Sequence, residues 1–128
     1  MTQKEEFIKI DYREKSAKMQ IWVVRFIDNG HHIAYIPSLK LSAYGANENE
    51  ALKMLFEDVV TDMFNHLFDL SEIQIANELA KFGWKHNRLF KKKFSNTPFI
   101  DKGGILRNFN LPKETLISQE YIENLVAA

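Results

Sequence analysis

Cysteine is absent from this chain of 128 residues, glycine occurs 5 times and proline 3 times. Without a thiol there is no disulfide, no thiolate metal site and no cysteine nucleophile, a composition that suits a reducing compartment. No run of 18 apolar residues is present, and the opening MTQKEEFIKI lacks the apolar stretch of a signal peptide. The expectation is a soluble, cytoplasmic protein with no membrane association. Net charge is missing too. The 17 Lys and Arg balance 17 Asp and Glu, which leaves no whole-molecule field to draw nucleic acid or an anionic membrane. Apolar side chains are plentiful, at 45% of the chain with 12% aromatic, enough for one domain with a real core.

The neutral total hides a segregation. Residues 47–80 hold Lys53 alone against Glu48, Glu50, Glu57, Asp58, Asp62, Asp69, Glu72 and Glu78, a net charge of −7. Residues 81–107 reverse this with eight cations against Asp101. Blocks of opposite sign imply either a match within the molecule or its dimer, or separate partners for each.

Residues 19–27, MQIWVVRFI, are β-branched and aromatic and run into Asp28-Asn29-Gly30, a hairpin signal because Asn-Gly accepts positive φ at little cost. The return strand His32–Ile36 stops at Pro37, and a third strand over 39–44 ends at Gly45. Phe7, Ile8, Ile10 and Tyr12 offer a fourth. Asn47 with Glu50 three residues on resembles a capping box. Behind it Leu52, Leu55, Phe56, Val59, Val60, Met63, Phe64 and Leu67 recur at helical spacing, so one long helix is expected. Ser71 with Gln74 opens a second helix that Gly83 closes. Beyond it, Ile105 to Leu111 reads as a strand and Ser118 to Val126 as a short terminal helix.

Tyr35, Pro37, Tyr44, Gly45, Asn47, Glu50 and Ala51 fall in the order of a hairpin, a proline, a strand ending in glycine and a capped helix. Over residues 19–70 this pattern resembles the HicB-like family of type II toxin–antitoxin systems. Phe82-Gly83-Trp84 echoes the Gly-Trp that closes a second helix in many members. Lys40-Leu41-Ser42 stands where the family commonly has Pro-Gly-Cys, and Ala46-Asn47 where it has Asp-Thr. The resemblance implies an α+β fold, an antiparallel sheet of three to four strands with one long helix packed on it, in a truncated ribonuclease-H-like arrangement. Residues 1–83 would form this unit and residues 84–128 an irregular basic and aromatic extension of the same domain. It further implies a bacterial, non-enzymatic protein that masks a HicA-like RNA-cleaving toxin, with Tyr35, Pro37, Tyr44, Glu57 and Asp58 as partner-binding residues. The family's C-terminal DNA-binding domain has no counterpart in residues 84–128, which lack two adjacent amphipathic helices on a tight turn.

The chemistry of a ribonuclease H needs carboxylates converging on divalent ions, and the strand region offers only Asp28, at a turn. His31 and His32 are adjacent, so in a strand they point to opposite faces and make a poor metal site. His66 and Asp69 near a helix end suit capping. No catalytic residue, metal or cofactor is expected.

The segment 84–94 interleaves rings with cations, a composition that stacks bases and contacts phosphates through Trp84, Lys85, Arg88, Lys91, Lys92 and Lys93. The plainer alternative packs Trp84, Phe90 and Phe94 inward and leaves the lysines in water. Nucleic-acid binding through this segment is therefore the second functional reading, and an orphan protein-interaction module the third. Alternation puts Trp22, Val24 and Phe26 on one face of their strand and Ile21, Val23 and Ile27 on the other. One helix covers one face, so the C-terminal segment or a second subunit must cover the other, and a homodimer is expected.

Overall fold

In a computed structural model, residues 4–87, 89–90, 92–98 and 100–127 are described. Among the described residues the fold is α+β, built on one antiparallel sheet of seven strands rather than three or four. Its spine is β2 (Ser16–Asp28), longer than the 19–27 run because hairpins start at both of its ends. At one end β1 (Glu6–Asp11) pairs with residues 16–20 of β2. At the other, β3 (His31–Ile36) pairs with residues 24–28 across Asn29 and Gly30, whose φ angles of 49° and 79° are those the sequence anticipates. β4 (Leu41–Gly45) lies outside β3, while β6 (Lys93–Asn96) and then β5 (Lys85–His86) lie outside β1.

The terminal segment overturns its predicted helix: Ser118–Ala127 is a strand, β7, paired with residues 16–25 of β2. Apolar spacing around Tyr121 and Ile122 fits either period, and the free edge of a long central strand decides between them. Because β7 occupies one edge of β2 along residues 16–25, β1 and β3 share the other edge end to end, and residues 21–23 of β2 face a gap between them.

A carboxylate fills that gap. Glu6 is 0% exposed, on the same face of β1 as the buried Ile8 and Ile10. Its Oε2 accepts the backbone N–H of Trp22 at 2.8 Å and the Ser38 hydroxyl at 3.1 Å, and its Oε1 accepts Nδ2 of Asn96 at 3.1 Å. The Trp84 indole N–H donates to the Ser38 carbonyl at 3.0 Å. One acid thus joins β1, β2, the turn after β3 and β6, supplying the acceptor that the divided ladder denies to Trp22.

The long helix lies across one sheet face. It runs through α1 (Glu48–Lys53), a π-helical stretch Met54–Val60 and α2 (Thr61–Phe68) without a break. Ala51, Leu55, Val60, Phe64, Leu67 and Phe68 are its buried residues, and the five-residue step from Leu55 to Val60 needs the wider π turn. The Thr61 hydroxyl donates to the Phe56 carbonyl five residues back, at 2.9 Å. At the start, Asn47 accepts Glu50 N–H at 2.9 Å, and a Cβ on Gly45 would sit 2.6 Å from the backbone nitrogen of Ala51. Gly45 is required by that close approach. α3 (Glu72–Ala80) begins with the expected capping box of Ser71 and Gln74, and Gly83 follows at φ 91°.

The opposite face is covered by the chain's own C-terminal half. Val24 and Phe26 are buried with Ile100 and Ile105, and Phe109 meets the rings of Phe26 and Tyr35 at 5.0 and 5.1 Å. Residues 102–108 form a helix, α4 (Lys102–Asn108), where a strand was anticipated from Ile105 to Leu111. The reason is the Asp101 cap, which accepts Gly104 N–H at 3.0 Å and turns Ile105 and Phe109 to one side. The extension is therefore ordered, with β5, β6 and β7 in the common sheet, and an uncovered second face no longer argues for a dimer. Ile27, at the hairpin end of β2, is 54% exposed.

Burial raises the Glu6 pKa above its ordinary 4.5, against three hydrogen bonds that lower it. The folded state therefore holds the Glu6 proton more tightly than the unfolded chain, and this contribution is full below about pH 4.5 and is lost as pH rises through the folded pKa. In urea titrations across this range, the wild-type advantage over Glu6→Gln should shrink as pH rises. Glu6→Leu, which orphans the donors of Trp22 and Ser38, should lose about 2–4 kcal/mol at low pH, a loss that likewise shrinks as pH rises.

Candidate interaction surfaces

The sequence-predicted residues fall on separate surfaces. Glu57 and Asp58 lie in the π-helical stretch and are exposed on the outer side of the long helix. Tyr35 and Tyr44 lie on the far side of the sheet. Tyr35 is half-buried under Phe109, and Tyr44 is exposed opposite Ile33, its ring 5.6 Å from that of His31. Pro37 is half-buried in the turn between β3 and β4. The five residues named for one partner therefore do not share a footprint.

The outer side of the long helix is the more uniform surface. Glu50, Glu57, Asp58, Asp62 and Asp69 are exposed there and just beyond its end, and none has a salt bridge among the described residues. Between the acidic and basic blocks, the described ion pairs include Glu78 with Lys81 at 2.8 Å, a neighbourly i,i+3 contact. Among the described residues the acidic face is not spent on an internal match.

The basic segment divides. Trp84 is 3% exposed and packs in the main core, so it is removed from any stacking surface. Phe94 is buried as well, with His86 stacked on its ring at 4.6 Å. Lys85 and Lys92 are exposed, and Lys93 is half-buried with its Nζ 4.3 Å from the centre of the Phe7 ring. Arg88 and Lys91 lie outside the described residues. Leu89 and Phe90 stand out at the tip of the β5–β6 hairpin, Phe90 at 66% exposed. Contrary to the inward-packing alternative, Phe90 faces water while its neighbours Trp84 and Phe94 do not.

A cleft of about 510 Å³ that the sequence reading missed lies at the β2–β3 hairpin end, between the start of α1 and residues 115–118. Arg25 and His32 share its lining with Ile27, Glu48 and Leu116, the last 89% exposed. The Arg25 guanidinium reaches Glu48 at 3.4 Å and Glu120 at 3.5 Å, linking α1 to β7, and its buried Nε has no hydrogen-bond partner among the described residues. The available signal was a cation in the middle of an apolar strand. His31 and His32 do point to opposite faces, and among the described residues no three His, Asp or Glu side chains gather to hold a metal ion. Among the same residues no helix is long and apolar enough to cross a membrane.

Trp84→Phe should cost about 1–2 kcal/mol in chemical denaturation, because the Ser38 carbonyl loses its buried donor. Lys85→Ala and Lys92→Ala, on exposed cations without described ion pairs, should stay within about 0.5 kcal/mol of wild type.

No family model matches this chain, and neither does any curated protein or any solved structure.

Proposed function

We propose that this protein is a non-enzymatic, cytoplasmic binding protein of the HicB-like kind, which masks a small basic RNA-cleaving toxin of the HicA type with the acidic side of its long helix. The observation that carries this reading is the row of exposed carboxylates, Glu50, Glu57, Asp58, Asp62 and Asp69, left without internal cations among the described residues. Their like charges on one rod raise the local negative potential, and a partner that must grip RNA carries the complementary sign. Association steered this way weakens as salt shortens the reach of charge to about 10 Å at 0.1 M. Tyr35 and Pro37 act in this reading as supports of the sheet.

The test is recovery of a small basic protein at near-equal stoichiometry with tagged protein, followed by an RNA-cleavage assay of that protein with and without this chain. Inhibition is expected, and Glu57→Lys with Asp58→Lys should weaken it about tenfold or more at low salt, mainly through the association rate. Cleavage that continues at full rate in the presence of a saturating excess contradicts the proposal.

The β5–β6 hairpin favours a second reading, single-stranded nucleic-acid binding, through exposed Phe90 beside Lys85 and Lys92. Anisotropy titrations with a labelled RNA oligonucleotide at low salt decide it. Affinity that falls steeply with added salt and disappears in Lys92→Glu/Lys93→Glu supports this reading, and no affinity at low salt excludes it.

A further inference from the structure

β7 ends the sheet. Among the described residues it pairs with β2 alone, in an unbroken register from Ser118 to Ala127 without proline or bulge. Such an edge is a template for another strand unless charge defends it. Two carboxylates stand on it, and each is paired within the chain: Glu123 with Lys18 at 3.0 Å and Glu120 with Arg25, which it shares with Glu48, at 3.5 Å. The edge is therefore long, regular and disarmed.

The direction of its backbone groups follows from the gap in the opposite edge. Trp22 donates its N–H away from β7, to Glu6, so Trp22 and its partner Tyr121 form a pair without mutual hydrogen bonds. Tyr121, Glu123 and Leu125 accordingly turn their N–H and C=O groups to the open side, while Glu120, Ile122 and Asn124 bond inward to β2. Leu125, 69% exposed, adds apolar surface there.

From this we infer that a second copy of the chain docks on β7, antiparallel, about a two-fold axis through Ile122. In this register Tyr121 exchanges backbone hydrogen bonds with the partner's Glu123. Ile122 meets the partner's Ile122 as a close, non-hydrogen-bonded pair, and Glu120 faces the partner's Asn124, an acceptor against a donor. Glu120 and Glu123 each miss their own copies. Moving the axis to residue 123 would set two glutamates face to face. A self-complementary strand of this kind favours an identical chain over a foreign peptide, and the two sheets become one with both long helices on the same face.

Sedimentation equilibrium on the full chain at tens of micromolar should give about twice the 15.0 kDa of the monomer. Glu123→Pro removes one outward N–H and keeps the inward ladder, so it should yield a folded monomer with an unchanged far-UV circular dichroism spectrum. The chain has no cysteine, so a single new one reports the register without background. On oxidation Ile122→Cys should give a covalent dimer across the axis, where the Cα separation suits a disulfide, and Glu120→Cys should not. A monomeric wild type, a dimer that survives Glu123→Pro intact, or equal cross-linking at 120 and 122 would overturn the inference. Should Glu123→Pro fail to fold, the cysteine pair decides alone.

Discussion

The side chain of Glu6 makes a divided sheet possible. A single long strand carries β7 on one edge and two different strands, end to end, on the other, and at the junction the backbone N–H of Trp22 would otherwise have no acceptor. A carboxylate reaching in from β1 supplies it, and its remaining lone pairs tie in Ser38 and Asn96. Burying the acid costs free energy, as its raised pKa records, yet removing it would orphan donors at the point where four elements meet. Trp84 completes the arrangement from the helical layer through the Ser38 carbonyl.

From that junction the sheet spreads in two arms, and the long helix packs against β3, β4 and β7 while α3 meets β5. A regular α-helix repeats its contact every three or four residues. The step from Leu55 to Val60 is longer, and a π turn with the Thr61 hydroxyl on the Phe56 carbonyl absorbs it. The turn that fits the helix to its sheet also carries Glu57 and Asp58 on its outer side. Packing inside and charge outside are thus fixed by the same seven residues, while the basic side chains are carried away to the β5–β6 arm.

Locally encoded features were legible in the sequence. Asn29-Gly30, Pro37, the Asn47 and Ser71 caps, Gly83 and the apolar stripe of the long helix each act within a few residues, and each stands where its chemistry places it. Features set by distant partners were not. Ser118–Ala127 is a strand because β2 has an edge to offer, and Lys102–Asn108 is a helix because Asp101 caps it against the aromatic floor of Phe26 and Tyr35. Glu6 looked like one more charge in MTQKEEFIKI, with nothing nearby to mark it as buried. The candidate surface was half legible: acidic spacing predicted the exposure of Glu57 and Asp58, but their separation from Tyr35 and Tyr44 needed the topology. Trp84 stood in both readings, as a stacking ring or as core, and is core, since alternation of rings and cations does not say which side faces in.

Amide hydrogen exchange at Trp22, followed residue by residue by NMR, tests the central role of Glu6 most directly. If the carboxylate closes the gap, the Trp22 amide exchanges only with global unfolding, as slowly as the ladder amides on either side of it. Exchange at Trp22 many times faster than at those neighbours, under conditions where they remain protected, would contradict the account.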